Sequence, residues 1–572
     1  VIHGYRTIFP IPLGMSATWD MGLVERSAQI AASEASADGI QWTFSPMVDL
    51  TRDPRWGRTS EGNGEDAFLS SAIAKAMIHG YQGDDLSAPN TIMSCVKHYA
   101  LYGAAEGGRD YNTTDMSRVR MYNEYFPPYK AAVDAGVGSV MVSFNEIDGV
   151  PASGNKWLVD DVLRKQWKFN GFVVSDYTGI PEMVNHGMGD YQAVNALSLN
   201  AGVDMDMVGE GFLNTLKKSM QEGKVSLAQI NKACERILEA KYKLGLFDDP
   251  YKYCNEQRSA TEVFTAANRA EARKIASQSF VLLKNNNHIL PLSAGKKIAL
   301  VGPLANAKEN MTGTWSVGAD NSQSVSLLKG LTDAIGSNGK LVYAKGSNLE
   351  DDEEMQKRQT MFGKDIARDG RTAEQMIQEA ISVSADADVI VAALGEGAES
   401  SGESASKSEI DIPYAQKRLL KALLATGKPV VLVLFNGRPL TLSWESENVP
   451  AILDVWFAGS EAGDAIADAL LGKVNPSGKL SMSFPRNVGQ IPVYYNHKNT
   501  GRPLTGKWFS KFQSNYIDVP NEPLYPFGYG LSYTQFEYGA IQVSSKQLKG
   551  NQKLTVTVPV KNTGKYAGKE VV

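Results

Sequence analysis

The stretch FNGFVVSDY, residues 169–177, decides the fold of the first half of this chain. An apolar run rich in β-branched residues and aromatics closes on Ser175, Asp176 and Tyr177, the pattern of a buried strand with a polar carboxyl end. GIQWTFSPMVDL (39–50), NTIMSCVKHYAL (90–101) and VGSVMVSFNEI (137–147) read the same way. Between them, DAFLSSAIAKAMIHGYQG (66–83), NEYFPPYKAAVDAG (123–136) and WLVDDVLRKQ (157–166) place apolar residues at helical spacing, and two of these segments stop at Gly. Strands that alternate with helices argue a parallel sheet. Polar residues gathered at the strands' carboxyl ends argue a (β/α)8 TIM-like barrel with its site on that face.

Farther along, a long helical pattern over 215–245 stops at KYKLGLFDDPY, which places a boundary near 250. The segment AANRAEARKIASQSFVLLKN then reads as a helical crossing. KIALVG (297–302), DVIVAAL (388–394), PVVLVLF (429–435) and AILDVWF (451–457) are buried-strand runs separated by helices, a second α/β layer unit. After PFGYGLSY the texture becomes QLKGNQKLTVTVPVKNTGK, alternating residues around Gly and Asn turns, the opening of a small β-sandwich. The expected division is a catalytic barrel over 1–250, a linker over 251–275, an α/β sandwich over 276–534 and the start of a β-sandwich over 535–572.

At 572 residues the chain is long enough for several cores. Its formal charge of −5 comes without any basic run, so a nucleic-acid partner is not expected. No apolar stretch reaches the roughly 20 residues of a membrane span. Cys95, Cys234 and Cys254 lie far apart without metal-ligand spacing, and are expected to be buried free thiols. With no His/Cys cluster, no metal site is expected. VGPLAN (301–306) is no dinucleotide fingerprint and no G-x-G-x-x-G follows a strand, so no cofactor is expected either.

The chemistry lies at the strand ends. Asp176 follows its strand directly; an acid there reads as catalytic in a barrel, against the alternative of a helix cap. Lys97 and His98 end another strand, and Arg109 follows in GAAEGGRDYN. Such donors grip vicinal hydroxyls and hold a nearby carboxylate ionised. In RDPRWGRTSEGNGED (52–66), Arg52, Arg55 and Arg58 could equally pair with Asp53, Glu61 and Glu65 to tie a loop down. GEGAESSGESASKSEIDIP (395–413) offers Glu396, Glu399, Glu403 and Glu409 on a Gly/Ser-rich loop whose composition also fits a plain solvated segment. Two carboxylates from different units facing one cleft suit glycoside hydrolysis: one attacks the anomeric carbon, the other protonates the departing oxygen and then activates water. The nucleophile should sit among cations and the acid in a drier, carboxylate-rich setting.

HGYRTIFPIPLG (3–14), RDPRWGR (52–58), SCVKHYALYG (94–103), GFVVSDY (171–177), LLKNNNHILPL (282–292), NGRPL (436–440), WFAGSEAG (456–463), NPSGKLSMSFP (475–485) and YPFGYGLSYT (525–534) together give a resemblance. The chain resembles the family 3 glycoside hydrolases along nearly its whole length, particularly the periplasmic or secreted β-glucosidases of Gram-negative bacteria. The resemblance implies a barrel, an α/β sandwich, a C-terminal fibronectin type III-like domain and retaining exo-hydrolysis of β-linked oligosaccharides or glycosides. Dimerisation is a family habit, and a homodimer is carried over as such. Asp176 would be the nucleophile. Counting back from Asp411-Ile412-Pro413 to the family's acid/base motif selects Glu403, although Ser406-Lys407 stand where the family carries Asp-Arg. Arg58, Lys97, His98 and Arg109 would hold the sugar in the first subsite. Phe144 stands where many relatives carry Tyr, Tyr177 would border the leaving-group subsite, and Ser316 would approach from the second unit. Relatives also carry a sugar-binding Asp just before the segment equivalent to VIHG, so the sequence reads as trimmed at its ends, the barrel lacking its first strand. β-Xylosidase, α-arabinofuranosidase, β-glucan exohydrolase and a non-catalytic carbohydrate-binding relative are the alternatives. KHYALYG departs from the KHFPGHG of the family's N-acetylglucosaminidases.

Overall fold

The computed structural model describes residues 6–293, 295–336, 339–360, 362, 364–504 and 509–571. The beginning of HGYRTIFPIPLG lies outside these residues.

The first half is built on parallel strands β1 (Cys95–Tyr99), β2 (Ser139–Val142) and β3 (Phe172–Val174), hydrogen-bonded in that order. Parallel bridges extend the array at both edges, through Trp42↔Met93 and Met47↔Lys97 on one side and Val174↔Met205 on the other. The segment expected as a strand over 39–50 makes only these isolated bridges. Pro46 has no N–H to give a ladder. The three predicted helices are present as Ala67–Gln82, Pro127–Asp134 and Trp157–Gln166. Asp66 caps the first by accepting from Leu69 N at 2.6 Å.

The second half contains one six-stranded sheet, with β4 (Val281–Asn285), β5 (Lys297–Val301), β6 (Lys340–Ala344), β7 (Val389–Gly395), β8 (Val430–Phe435) and β9 (Ala451–Asp454) in the order β4-β9-β8-β7-β5-β6. All neighbours are parallel except β4, which runs antiparallel to β9. This corrects the expectation of one helical crossing: the helix Ala266–Ser279 ends, and FVLLKN continues as β4. Phe280, Val281, Leu282 and Leu283 are buried, which the β-branched and aromatic end of that segment favours over helix. β7, β8 and β9 are buried on both faces, as parallel strands covered by helices must be. Beyond 535 the chain forms two short antiparallel ladders, Phe536–Tyr538 with Val560–Asn562 and Gln542–Val543 with Val556–Thr557.

Cys95 is buried, but Cys234 and Cys254 are exposed, against the expectation of buried thiols. Cys234 falls on the solvent face of the helix Leu227–Lys243, whose inward positions are Ala233 and Ala240. No helix among the described residues is long and apolar enough to cross a membrane.

Leu432 lies fully buried in the middle of β8. Leu432→Ala should cost the second sheet about 2–5 kcal/mol, read from hydrogen exchange of the β7–β9 amides. Unchanged protection there would contradict a core centred on this strand.

Candidate active site

The parallel strands of the first half point their carboxyl ends at a single cavity of about 840 Å3, within the size range of small-molecule sites. Arg58, Lys97, Phe144, Asp176 and Tyr177 line it from the first half, and Thr314, Trp315 and Glu403 from the second. The two carboxylates singled out in the sequence therefore share one space, although 227 positions separate them in the chain (403 minus 176).

Asp176 follows β3 where the strand leaves the sheet. Its Oδ1 accepts from Tyr177 N at 2.7 Å, and its Oδ2 lies 3.5 Å from His98 Nε2. Burial pushes its pKa up; Arg58, Lys97 and the Tyr177 N–H pull it back, and the charge of Glu403 adds to the rise. Oε1 of Glu403 accepts from the Tyr111 hydroxyl at 2.7 Å and lies 3.5 Å from Arg58 Nη1. The neighbours of Glu403 are thus a phenol and a guanidinium, not the carboxylate-rich setting expected. The Gly/Ser loop that carries it docks on the first half and leaves its acidic neighbours pointing elsewhere: Glu396 is fully buried and pairs with Arg438.

Arg58 is fully buried, and it ties its loop down while also reaching the cavity. Nε and Nη2 grip Glu61 at 2.9 and 3.1 Å, while Nη1 reaches Glu403. Arg55 pairs with Asp53, but Arg52 pairs with Glu124 and not with Glu65. Glu65 instead accepts from the backbone N–H groups of Ser483 and Tyr495.

His98 stands immediately behind Asp176, wholly buried. Burial, helped by the charges of Arg58 and Lys97, drives its pKa well below the usual value, so the ring is neutral. Its Nδ1 and its backbone N–H both face Oδ2 of Asp49, at 2.8 and 2.9 Å, and Tyr129 donates to Asp49 Oδ1 at 2.7 Å. Asp49, at the end of PMVDL, carries the same signal that singled out Asp176, an acid closing an apolar strand, and was passed over in the sequence.

Besides His98, which stands behind Asp176 without lining the cavity, two expected residues are not brought to it. Arg109 is exposed. After the turn at Gly107 and Gly108, Asp110 and Tyr111 point inward instead. Asp110 Oδ1 accepts from Trp56 Nε1 at 2.9 Å and its Oδ2 from Ser404 N at 2.8 Å. Ser316 is 3% exposed and spends its hydroxyl on Thr312 and on the buried ammonium of Lys364; Thr314 and Trp315 line the cavity in its place. Among the described residues no group of three or more His, Cys, Asp and Glu side chains is placed to hold a metal.

Residues 1–240 match the Glycosyl hydrolase family 3 N terminal domain and residues 280–533 the family 3 C-terminal domain. The chain belongs to glycosyl hydrolase family 3. A periplasmic β-glucosidase of Salmonella typhimurium is 46% identical over 576 aligned positions, covering 100% of this chain and 75% of the relative. A β-xylosidase of Formosa agariphila is 36% identical, covering 100% and 78%. The crystal structure of a β-glucosidase from Listeria innocua in complex with glucose superposes with a TM-score of 0.90 at 42% identity, covering 99% of this chain and 76% of that one.

Burial raises the Asp49 carboxyl from 3.8 to about 7. Between those values the folded protein holds a proton that the unfolded chain has released, so this group's contribution to stability is full below pH 3.8 and declines as pH rises to about 7. Asp49→Asn removes the titration, and an amide can take all three contacts: its oxygen accepts from His98 N and Nδ1, and its NH2 donates to Tyr129, which turns its own proton to His98 O, 2.6 Å away. Urea unfolding should show the wild type losing stability relative to Asp49→Asn between pH 4 and 7. A pH-independent difference would contradict it.

Proposed function

We propose that this family 3 chain is a retaining, exo-acting β-glycosidase, a β-glucosidase, with Asp176 as nucleophile and Glu403 as acid/base. The observation that carries the assignment is that Asp176 and Glu403, from different halves of the chain, line one cavity together with Arg58, which lies 3.5 Å from Glu403 and whose charge acts on Asp176. Asp176 attacks the anomeric carbon while the Glu403 proton passes to the glycosidic oxygen, the C–O bond breaks, and a glycosyl ester forms. Water then attacks the same carbon, gives its proton to Glu403, and the ester bond breaks to release the sugar and restore Asp176. Arg58 and Lys97 favour the ionised nucleophile. Neutral His98, backed by Asp49, fixes the Asp176 side of the subsite. Tyr177, 59% exposed, with Phe144 and Trp315 gives the mouth an aromatic rim for a leaving group.

In the same reading the parallel array of the first 250 residues is a (β/α) barrel, 251–275 connects it to the α/β sandwich of 276–534, and the ladders after 535 open a fibronectin type III-like domain. The helix Ala266–Ser279 runs across the end of that connection. The protein works in the periplasm or outside the cell, as its likeness to the periplasmic Salmonella enzyme suggests.

A panel of p-nitrophenyl glycosides should rank the β-glucoside first. Faster turnover of the β-xyloside would move the assignment to the activity named for the Formosa relative. Asp176→Asn should lower kcat by several orders of magnitude in a folded protein, and near-normal turnover would refute the nucleophile. Glu403→Ala should lose ~10²–10⁴-fold on substrates with poor leaving groups and be rescued by azide on an activated aryl glucoside; the same behaviour in Glu399→Ala would move the acid/base to that residue.

A further inference from the structure

The carboxylates that meet in the cavity come from separate sheets, and one buried side chain joins the loops that carry them. Arg438, in NGRPL after β8, is 0% exposed. Its Nη1 donates to the carbonyls of Pro54 and Arg55 at 3.1 and 2.9 Å. Its Nη2 donates to Ala405 O at 2.8 Å and to Ser400 O. Nε faces Glu396 Oε1 at 3.3 Å, a carboxylate that follows β7 and is itself fully buried. One planar guanidinium therefore grips the main chain on both sides of Glu403 and, with its other edge, the main chain leading into Arg58.

Other contacts hold the two loops in the same register. Gly402 N donates to Gly57 O at 2.7 Å and Lys407 N to Arg55 O at 3.0 Å. A Cβ on Gly57 would stand 2.2 Å from Gly402 O, so the backbones touch directly. The acceptors of Nη1 and Nη2 are all main-chain carbonyls, and Arg438 does not line the cavity. Burying a cation costs several kcal/mol before its contacts return it, and an apolar side chain would serve packing alone. The arrangement uses what is particular to arginine, several donors in a fixed plane that reach carbonyls on opposite sides.

We propose that Arg438 is a positioning residue for acid/base catalysis: through the carbonyls of Ser400 and Ala405 on one edge and Pro54 and Arg55 on the other, it sets Glu403 at its height above the sugar and at its distance from Arg58. The proposal rests on Glu403 being the acid/base. It separates the loop's register from the stability of the sheet, because a carboxylate displaced by about 1 Å loses ~10²-fold in rate while the fold persists. Displacement of the acid harms the departure of a poor leaving group and spares a good one, which needs no proton.

The test compares Arg438→Lys with the wild type on cellobiose and on 2,4-dinitrophenyl β-glucoside. Lysine keeps the charge and loses the fork. The expected result is a fall of ~10²-fold in kcat/KM on cellobiose and a much smaller fall in kcat/KM on the dinitrophenyl glucoside, whose departure needs no proton. Equal losses on both substrates, or no loss, would overturn the proposal, since a purely stabilising residue has no preference among leaving groups. Should Arg438→Lys not fold, Asp110→Ala decides: it removes the acceptor of Ser404 N from outside the same loop. A leaving-group-selective loss there supports the register argument, and a uniform one overturns it. Glu403→Ala, run alongside, keeps the two ideas apart. If it shows neither selectivity nor azide rescue on the dinitrophenyl glucoside, the acid/base assignment fails; if it shows both and Arg438→Lys shows no selectivity, Arg438 alone is misassigned.

Discussion

A buried arginine with more than one carboxylate to serve is the constraint on which the site depends. Arg58 is 2% exposed, is held by Glu61, faces Glu403 at 3.5 Å and acts on Asp176. Its own pKa stands well above the ordinary value, raised by Glu61 and Glu403 against the effect of burial. Retaining hydrolysis sets two carboxyl groups roughly 5 Å apart, and they carry the charge in turn, Asp176 before the ester forms and Glu403 after it. A permanent cation near both serves whichever is ionised. The loop RDPRWGR is therefore less a binding motif than the mounting of this one charge, and the pairing with Glu61 that looked like mere loop closure is what keeps Arg58 aimed.

The first sheet and its helices were legible because their periodicity is strong: apolar runs closing on polar residues, then helices with clear stops. Asp176, Lys97 and His98 followed from the rule that such strand ends carry chemistry. The same rule would have found Asp49, but its strand makes only isolated bridges around Pro46, and an Asp before RDP reads as part of a charged loop. Glu403 was not legible from composition at all. It came from a resemblance, because an acidic Gly/Ser segment offers several equivalent glutamates, and choosing among them depends on what the other half of the chain places opposite. Arg109 was chosen for its charge where geometry prefers its neighbour Tyr111, whose hydroxyl bonds Glu403. β4 was missed for a different reason: Phe280 to Leu283 extend the apolar periodicity of the preceding helix, and only an antiparallel partner, β9, shows that they have changed conformation.

His98 illustrates how burial substitutes for ligand contacts in fixing a side chain. It does not line the cavity, yet Asp49 holds its Nδ1 and backbone together and turns Nε2 toward Asp176. A neutral ring in that position backs the nucleophile without adding a charge to compete with Arg58 for it. The lowered pKa of His98 and the raised pKa of Asp49 are thus two sides of one dry, polar pair.

The Gly/Ser richness of residues 395–413 then acquires a physical meaning other than flexibility. Gly402 takes φ +104° and leaves no room for a side chain, since a Cβ would lie 2.6 Å from Thr314. The N–H groups of Gly402, Ser404 and Lys407 are given to Gly57 O, Asp110 Oδ2 and Arg55 O. A loop that must lay its backbone on the backbone of another unit needs small residues wherever the chains touch, and it then resembles in composition a loop that touches nothing. The distinction lies in the partner surface, and here that surface is the same RDPRWGR segment that mounts Arg58. Whatever fixes Glu403 therefore also fixes the cation beside it, and the two halves of the reaction are aligned by main-chain contact before any sugar arrives.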